Sequence, residues 1–469
     1  MIPSVSIKDN LNNLKSGNYK AVNLVDYFLD RINKFDNNIN SFITITENAA
    51  YEKARWIDKL ISEGTKDPEK EYPLLGTVIA FKDLFLTKGV RTTAASKVLD
   101  NYIPAYNATV VERLEKAGCI TIGKLNCDAW AHGSSGENSD FGSTKNPWNF
   151  DYTPGGSSSG SGASLAAQFC QVTTGTDTCG SIRLPANYCY KVGFKPTYGS
   201  VSRYGIVAMA SSLDSIGHLT NTVEDARRVF NVTKGPDGYD STLKTSDYIF
   251  DKNKKLRIGI PKEFFVKGID KSVEDNIKKA ILIFKDLGVE TVEISLPHTK
   301  YGLSVYYIIQ PAEVSSNLGR YDGIRYGNSR DSFGSEAKRR IILGSFVLSS
   351  GYYDAYYLKA MKVRTIIKSE VDDVLKKVDA IIAPVAPTPP FKLGEKINDP
   401  LKMYLTDIYA ATANLAGIPS LAIPFGFSKE SLPLGFQLMG PRFSEEMLFN
   451  LGEKFEKESG YEPKFASLK

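Results

Sequence analysis

The sequence predicts an α/β layered fold. Helix-like and strand-like periodicities alternate along the chain, glycine stops separate them, and a long helical stretch stands apart in the second half. Leu24, Val25, Phe28 and Ile32 recur at helical spacing, so an amphipathic helix opens the chain. The apolar run from Thr77 to Phe81, ending at Lys82, reads as a strand. Val110, Val111, Leu114 and Ala117 then form a helical pattern that stops at Gly118, and the apolar run Cys119 to Ile122 follows as a strand. The same order returns where Ile277, Ile281 and Phe284 lead to Gly288 and then to Val289 through Leu296. Further strands are expected at Leu256 to Ile260, Ala380 to Val385 and Ser420 to Phe425. Between about Ser304 and Lys368 the pattern is mostly helical and rich in Tyr and Arg, as an insertion or cap over a sheet would be.

Composition narrows the function. The chain of 469 residues is 42% hydrophobic and 24% charged, the profile of a globular protein with a large core. Its net charge of +5 carries no long basic run, so it makes no case for a nucleic-acid groove. Five cysteines without a CxxC pair argue for a reducing compartment. Three single histidines, His132, His218 and His298, argue against a zinc site. The first residues lack a signal-peptide core, which makes the cytoplasm the expected location. The uncharged stretches Tyr152 to Thr176 and Ile408 to Ser428 are broken by Gly, Ser and Pro, so they read as buried protein and not as membrane spans.

Three elements could carry chemistry. Gly155 to Ser164 holds nine Gly or Ser in ten positions, and apolar Leu165, Ala166, Ala167 and Phe169 follow it. A flexible linker would sit among charged residues, whereas this run leads into a buried helix and offers N–H groups and hydroxyls to a reaction centre. A second loop is expected over Gly175 to Pro185. Consecutive N–H groups of Thr178, Cys179, Gly180 and Ser181 could there point at one oxygen, with a plain tight turn as the alternative. Lys82, at the end of an apolar strand, is either a snorkelling surface residue or a buried amine pushed toward its neutral, basic form.

Together these elements resemble the amidase signature family, whose members carry a Lys, cis-Ser, Ser triad; the match falls on Lys82, Ser157 and Ser181. The resemblance implies a mixed central β-sheet covered by helices on both faces, in one domain over 1–469. Within it, about 1–65 would be an N-terminal helical segment, about 70–230 the catalytic core, and about 304–368 the insertion lining the substrate pocket. It also implies roles: Ser181 as nucleophile, Ser157 as a bridging serine after a cis peptide bond, Lys82 as base, and the N–H groups of 178–181 as oxyanion donors. Segments such as Gly133 to Ser139, Lys195 to Gly199, Ser211 to Gly217, Gly351 to Tyr357 and Asn414 to Pro419 are most similar to the branch that hydrolyses glutamine for tRNA-dependent amidation. In that branch, free glutamine would be held at Tyr307, Arg340, Asp407 and Ser134, since Arg forks onto a carboxylate and Asp neutralises an ammonium. Arg339 competes with Arg340 for that place. The resemblance further implies, as partners, the B and C subunits of a heterotrimeric amidotransferase acting on misacylated tRNA, Glu-tRNA(Gln) and/or Asp-tRNA(Asn). No cofactor is expected in this chain, with ATP and Mg on the partner subunit. Two positions depart from the family pattern: Ser159 stands where glycine is usual, and Cys179 replaces the first glycine of Gly-Gly-Ser.

Other readings remain open. Gly156-Ser157-Ser158-Ser159-Gly160 satisfies GxSxG, which would make Ser158 the nucleophile with His218 or His298 as partner, but Asn149 to Pro154 offers no strand to precede an elbow. Gly118 to Lys124 fits GxxxxGK, yet its interior is a strand and Leu125 replaces the metal-binding hydroxyl. His132 reads as a pocket-wall residue. A free-standing amidase acting on another small amide would keep the triad without the glutamine pocket, and a scaffold subunit would keep neither activity.

Overall fold

The computed structural model describes residues 3–65, 67–246, 248–265, 268–324 and 327–468. One mixed sheet of eleven strands runs through it. In chain order these are β1 (Phe42–Ile45), β2 (Val78–Lys82), β3 (Ile120–Leu125), β4 (Val172–Asp177), β5 (Val192–Lys195), β6 (Ser215–Thr220), β7 (Arg257–Pro261), β8 (Glu290–Ile294), β9 (Ala380–Ala383), β10 (Ser420–Phe427) and β11 (Pro433–Met439). Their spatial order is β1-β3-β2-β4-β6-β5-β10-β11-β9-β7-β8. β2 is parallel to β3 and β4, β7 is parallel to β8 and β9, and antiparallel pairs join these two groups through the centre.

Strand alternation explains the layers. On β2, Ile79 and Phe81 pack into one apolar cluster while Val78 and Ala80 pack into another, so both faces are covered and the strand is apolar throughout. The first cluster takes side chains from the helices Thr109–Lys116, Val223–Thr233, Lys271–Asp286 and Glu445–Glu458; the second from Ala21–Ile39, Glu47–Ser62 and Ser159–Ala166. The expected helix-stop-strand units at 109–125 and 271–294 are present, with Gly118 and Gly288 at positive φ, +94° and +77°, where a Cβ is disfavoured. β1, β4, β5, β6 and β11 lie in stretches for which the sequence pattern predicted no strand, and β1 falls within the segment expected to be helical. β4 also shortens the expected loop, because Gly175, Thr176 and Asp177 are strand residues.

The stretch read as a helical insertion consists of the helices Gly302–Leu318, Ser335–Val347 and Lys359–Val374, with a π-helical turn at Tyr353–Leu358. Among the described residues no helix is long and apolar enough to cross a membrane, and the uncharged stretches lie in buried helices and strands.

Candidate active site

The site forms where β2 and β4 end side by side. Strand geometry places Lys82 at the last position of β2, inside the protein, with none of its surface exposed. Its Nζ lies 2.8 Å from Ser157 Oγ and 2.8 Å from Thr176 Oγ1. Burial pushes the Lys82 amine down to about 8, against the opposing pull of Cys127 and of the carboxylates Asp128, Asp177 and Asp214. The neutral, proton-accepting amine is therefore far more accessible than in a solvated lysine, though still the minor form at pH 7.

Ser157 follows a cis peptide bond, Gly156-Ser157. Its carbonyl accepts from Asp128 N at 3.1 Å, and the Asp128 carboxylate accepts from Gly136 N and Asn138 N, each at 3.0 Å. Gly133 and Gly156 lie against this carboxylate so closely that a Cβ on either would come within 2.4 or 2.1 Å of it. The helix Ser159–Ala166 starts directly after, with the whole Gly/Ser run buried, as expected for a helix start and not for a linker. Ser159 fits because its hydroxyl meets Thr144 Oγ1 at 3.1 Å.

Ser181 sits in the short loop between β4 and the helix Arg183–Tyr188. Among the described residues its hydroxyl has no hydrogen-bond partner, and the residue is 7% exposed. The loop hangs on a buried ion pair. Arg183 bonds Asp177 through Nε and Nη2 at 3.0 Å each and also meets Gln437, Asn414 and the Ala410 carbonyl. Burial would raise Asp177, but the Arg183 charge and hydrogen bonds overcome it and hold the carboxyl far below its usual range. One expectation is corrected here. Gly180, at φ +103°, donates its N–H to Asp177 Oδ1 at 2.7 Å, so of the four expected oxyanion donors this one is already engaged in holding the turn. Cys179 is not among the residues with positive φ, so its Cβ is accommodated, and its side chain packs with Leu213, Tyr306 and Ile309.

A cavity of about 450 Å³ has a wall that includes Ser134, Tyr307, Arg340 and Tyr404. Asp407 lies behind it, accepting from Ser134 Oγ at 2.9 and 2.8 Å and from Tyr307 OH at 3.1 Å. Burial pushes Asp407 up to about 7, opposed by the Ser134 and Tyr307 hydrogen bonds and by Arg340. The Arg340 guanidinium lies over the Tyr307 and Tyr404 rings, 4.8 and 5.0 Å from their centroids. Both competing arginines line the cavity and pair with Glu336, but Arg340 is buried whereas the Arg339 side chain is half-exposed. The sheet register and helix packing thus gather Lys82 with Ser157, and Ser134 with Tyr307, Arg340 and Asp407.

The rival elements look different. Ser158 is fully buried, its hydroxyl makes one long contact of 3.4 Å to the Thr176 carbonyl, and turns rather than a strand precede it. His218 binds the Ala226 carbonyl and His298 pairs with Glu370. His132 is wholly enclosed, with neither ring nitrogen partnered. Sequence reasoning missed Thr176, Asp128, Glu336, Gln310 and Tyr404. Only Tyr404, three residues before Asp407 and so about one turn away, had a readable signal.

Comparison with known proteins agrees in extent. The profile of the Amidase family matches residues 23–449. The chain is 48% identical to the A subunit of glutamyl-tRNA(Gln) amidotransferase of Carboxydothermus hydrogenoformans, over 97% of this chain and 98% of that one. It is 49% identical to the protein of the same name from Caldanaerobacter subterraneus subsp. tengcongensis, over 93% of each. The crystal structure of the A subunit of glutamyl-tRNA(Gln) amidotransferase from Thermotoga maritima superposes with a TM-score of 0.81 at 39% identity, covering 96% of this chain and 95% of that one.

Proposed function

The chain belongs to the amidase signature family, and from that premise we propose that it is the glutamine-hydrolysing subunit of a tRNA-dependent amidotransferase. Names of the near-full-length relatives support the complex, and one observation carries the substrate: Arg340 and Asp407 both meet Tyr307, one over its ring and the other at its hydroxyl. A cation and a carboxylate held one tyrosine apart complement the α-carboxylate and α-ammonium of a free amino acid.

In this reading Lys82, neutral, takes a proton from Ser157 as Ser157 takes one from Ser181, and Ser181 Oγ attacks the side-chain amide carbon. N–H groups of Thr178, Cys179 and Ser181 stabilise the oxyanion. The proton returns to the leaving nitrogen, ammonia departs, and water releases glutamate from the acyl-enzyme. Ammonia would pass to a B subunit that activates Glu-tRNA(Gln) or Asp-tRNA(Asn) with ATP and Mg, with a C subunit holding the pair, in the cytoplasm. The test is ammonia release from glutamine by the purified chain, alone and with its partner subunits. Turnover of small neutral amides in preference to glutamine would favour a free-standing amidase instead.

A further inference from the structure

Around Arg340 the hydrogen bonds are unevenly spent. Nε donates to Glu336 Oε1 at 2.7 Å and Nη1 donates to Gln310 Oε1 at 2.6 Å, while among the described residues Nη2 has no hydrogen-bond partner. A guanidinium whose Nε edge is taken can still receive a carboxylate at its far end, through Nη2 and the second hydrogen of Nη1. Gln310, on the helix Gly302–Leu318, decides which end stays open. Arginine has only donors, so the Gln310 amide must turn its oxygen toward Nη1, and its Nε2 is left pointing elsewhere. Gln310 is fully buried and this Nε2 has no partner; nor has either ring nitrogen of His132, which is close enough to feel the Arg340 charge. Buried polar groups without partners are uncommon in folded proteins and call for a specific explanation, which the orientation that Arg340 imposes on the Gln310 amide supplies for its Nε2.

We infer that Gln310 is a specificity-determining residue: it holds Arg340 with its outer fork open and adds no second carboxylate to that of Glu336, so that the pocket selects amides bearing a free carboxylate. Resting on the proposed glutamine reading, this adds the residue that tunes the carboxylate anchor. A glutamate at 310 would accept the same hydrogen bond but add a second carboxylate beside an Arg340 already paired with Glu336, leaving surplus negative charge where the substrate carboxylate would bind. A methionine would keep the volume and remove the bond.

The experiment compares glutamine with butyramide, which is glutamine lacking both α-groups, for wild type, Gln310→Glu and Gln310→Met, in the native complex. The readout is the ratio of kcat/KM for the two amides. It is expected to fall by about tenfold or more in Gln310→Glu and by several-fold in Gln310→Met, through KM for glutamine. A packing defect would depress both amides and leave the ratio alone, so an unchanged ratio overturns the inference. Gln310→Met carries the test if the glutamate variant does not fold. A wild type that shows no preference for glutamine overturns the glutamine reading and this inference with it, whereas wild-type preference with unaltered variant ratios removes the role of Gln310 only.

Discussion

Lys82 Nζ stands 2.8 Å from Ser157 Oγ, and neither residue exposes any surface. That pairing makes the lysine's protonation state the natural control on turnover. With Lys82 pushed down to about 8 by burial, kcat/KM should climb through a limb near pH 8 and fall below it as the amine takes a proton. Lys82→Met should lose the limb and about 10²–10⁴ of the rate, as measured by ammonia release across pH.

Ser181→Ala should abolish acyl-enzyme formation, while Ser158→Ala should retain turnover, since the Ser158 hydroxyl makes only a 3.4 Å contact to a carbonyl. Mass spectrometry after a substrate pulse reads the difference directly. A dead Ser158→Ala with a live Ser181→Ala would transfer the nucleophile role.

Asp407, pushed up to about 7, must be ionised to hold an ammonium. Its carboxyl is protonated below that value, so KM for glutamine should rise as pH falls through about 7, with butyramide much less affected. Asp407→Asn should raise KM at neutral pH by about tenfold or more and flatten this dependence.

The Cys179 thiol lies in the nucleophile loop without sharing in its chemistry. Burial raises its thiol well above the ordinary range, so iodoacetamide should leave activity intact on the timescale that labels an exposed thiol. Cys179→Gly should fold with a loss of about 1 kcal/mol in urea melts, because it empties part of the cluster with Leu213 and Tyr306 and loosens the backbone.

Arg183→Met should cost about 3–5 kcal/mol by the same measurement, since it strands Asp177 as a buried charge and frees the turn that carries Ser181.

What could be read directly from residue order was local. Helix periodicity and glycine stops located the units at 109–125 and 271–294, and the Gly/Ser run leading into apolar residues announced a buried helix start, because these signals depend on neighbours within a few turns. Family resemblance pointed to Lys82, Ser157, Ser181, Tyr307, Arg340, Asp407 and Ser134 without showing how they meet. β1 was missed because it is only four residues long, and β4, β5, β6 and β11 because they are rich in Thr, Gly and other residues whose strand state comes from pairing with distant segments. Tertiary structure alone decided that Thr176 joins Lys82, that Gly180 gives its N–H to Asp177, and that Arg340 rather than Arg339 turns inward. Each of those outcomes is set by which buried polar group finds a partner across a long sequence separation, a competition that burial makes costly to lose and that no local pattern records.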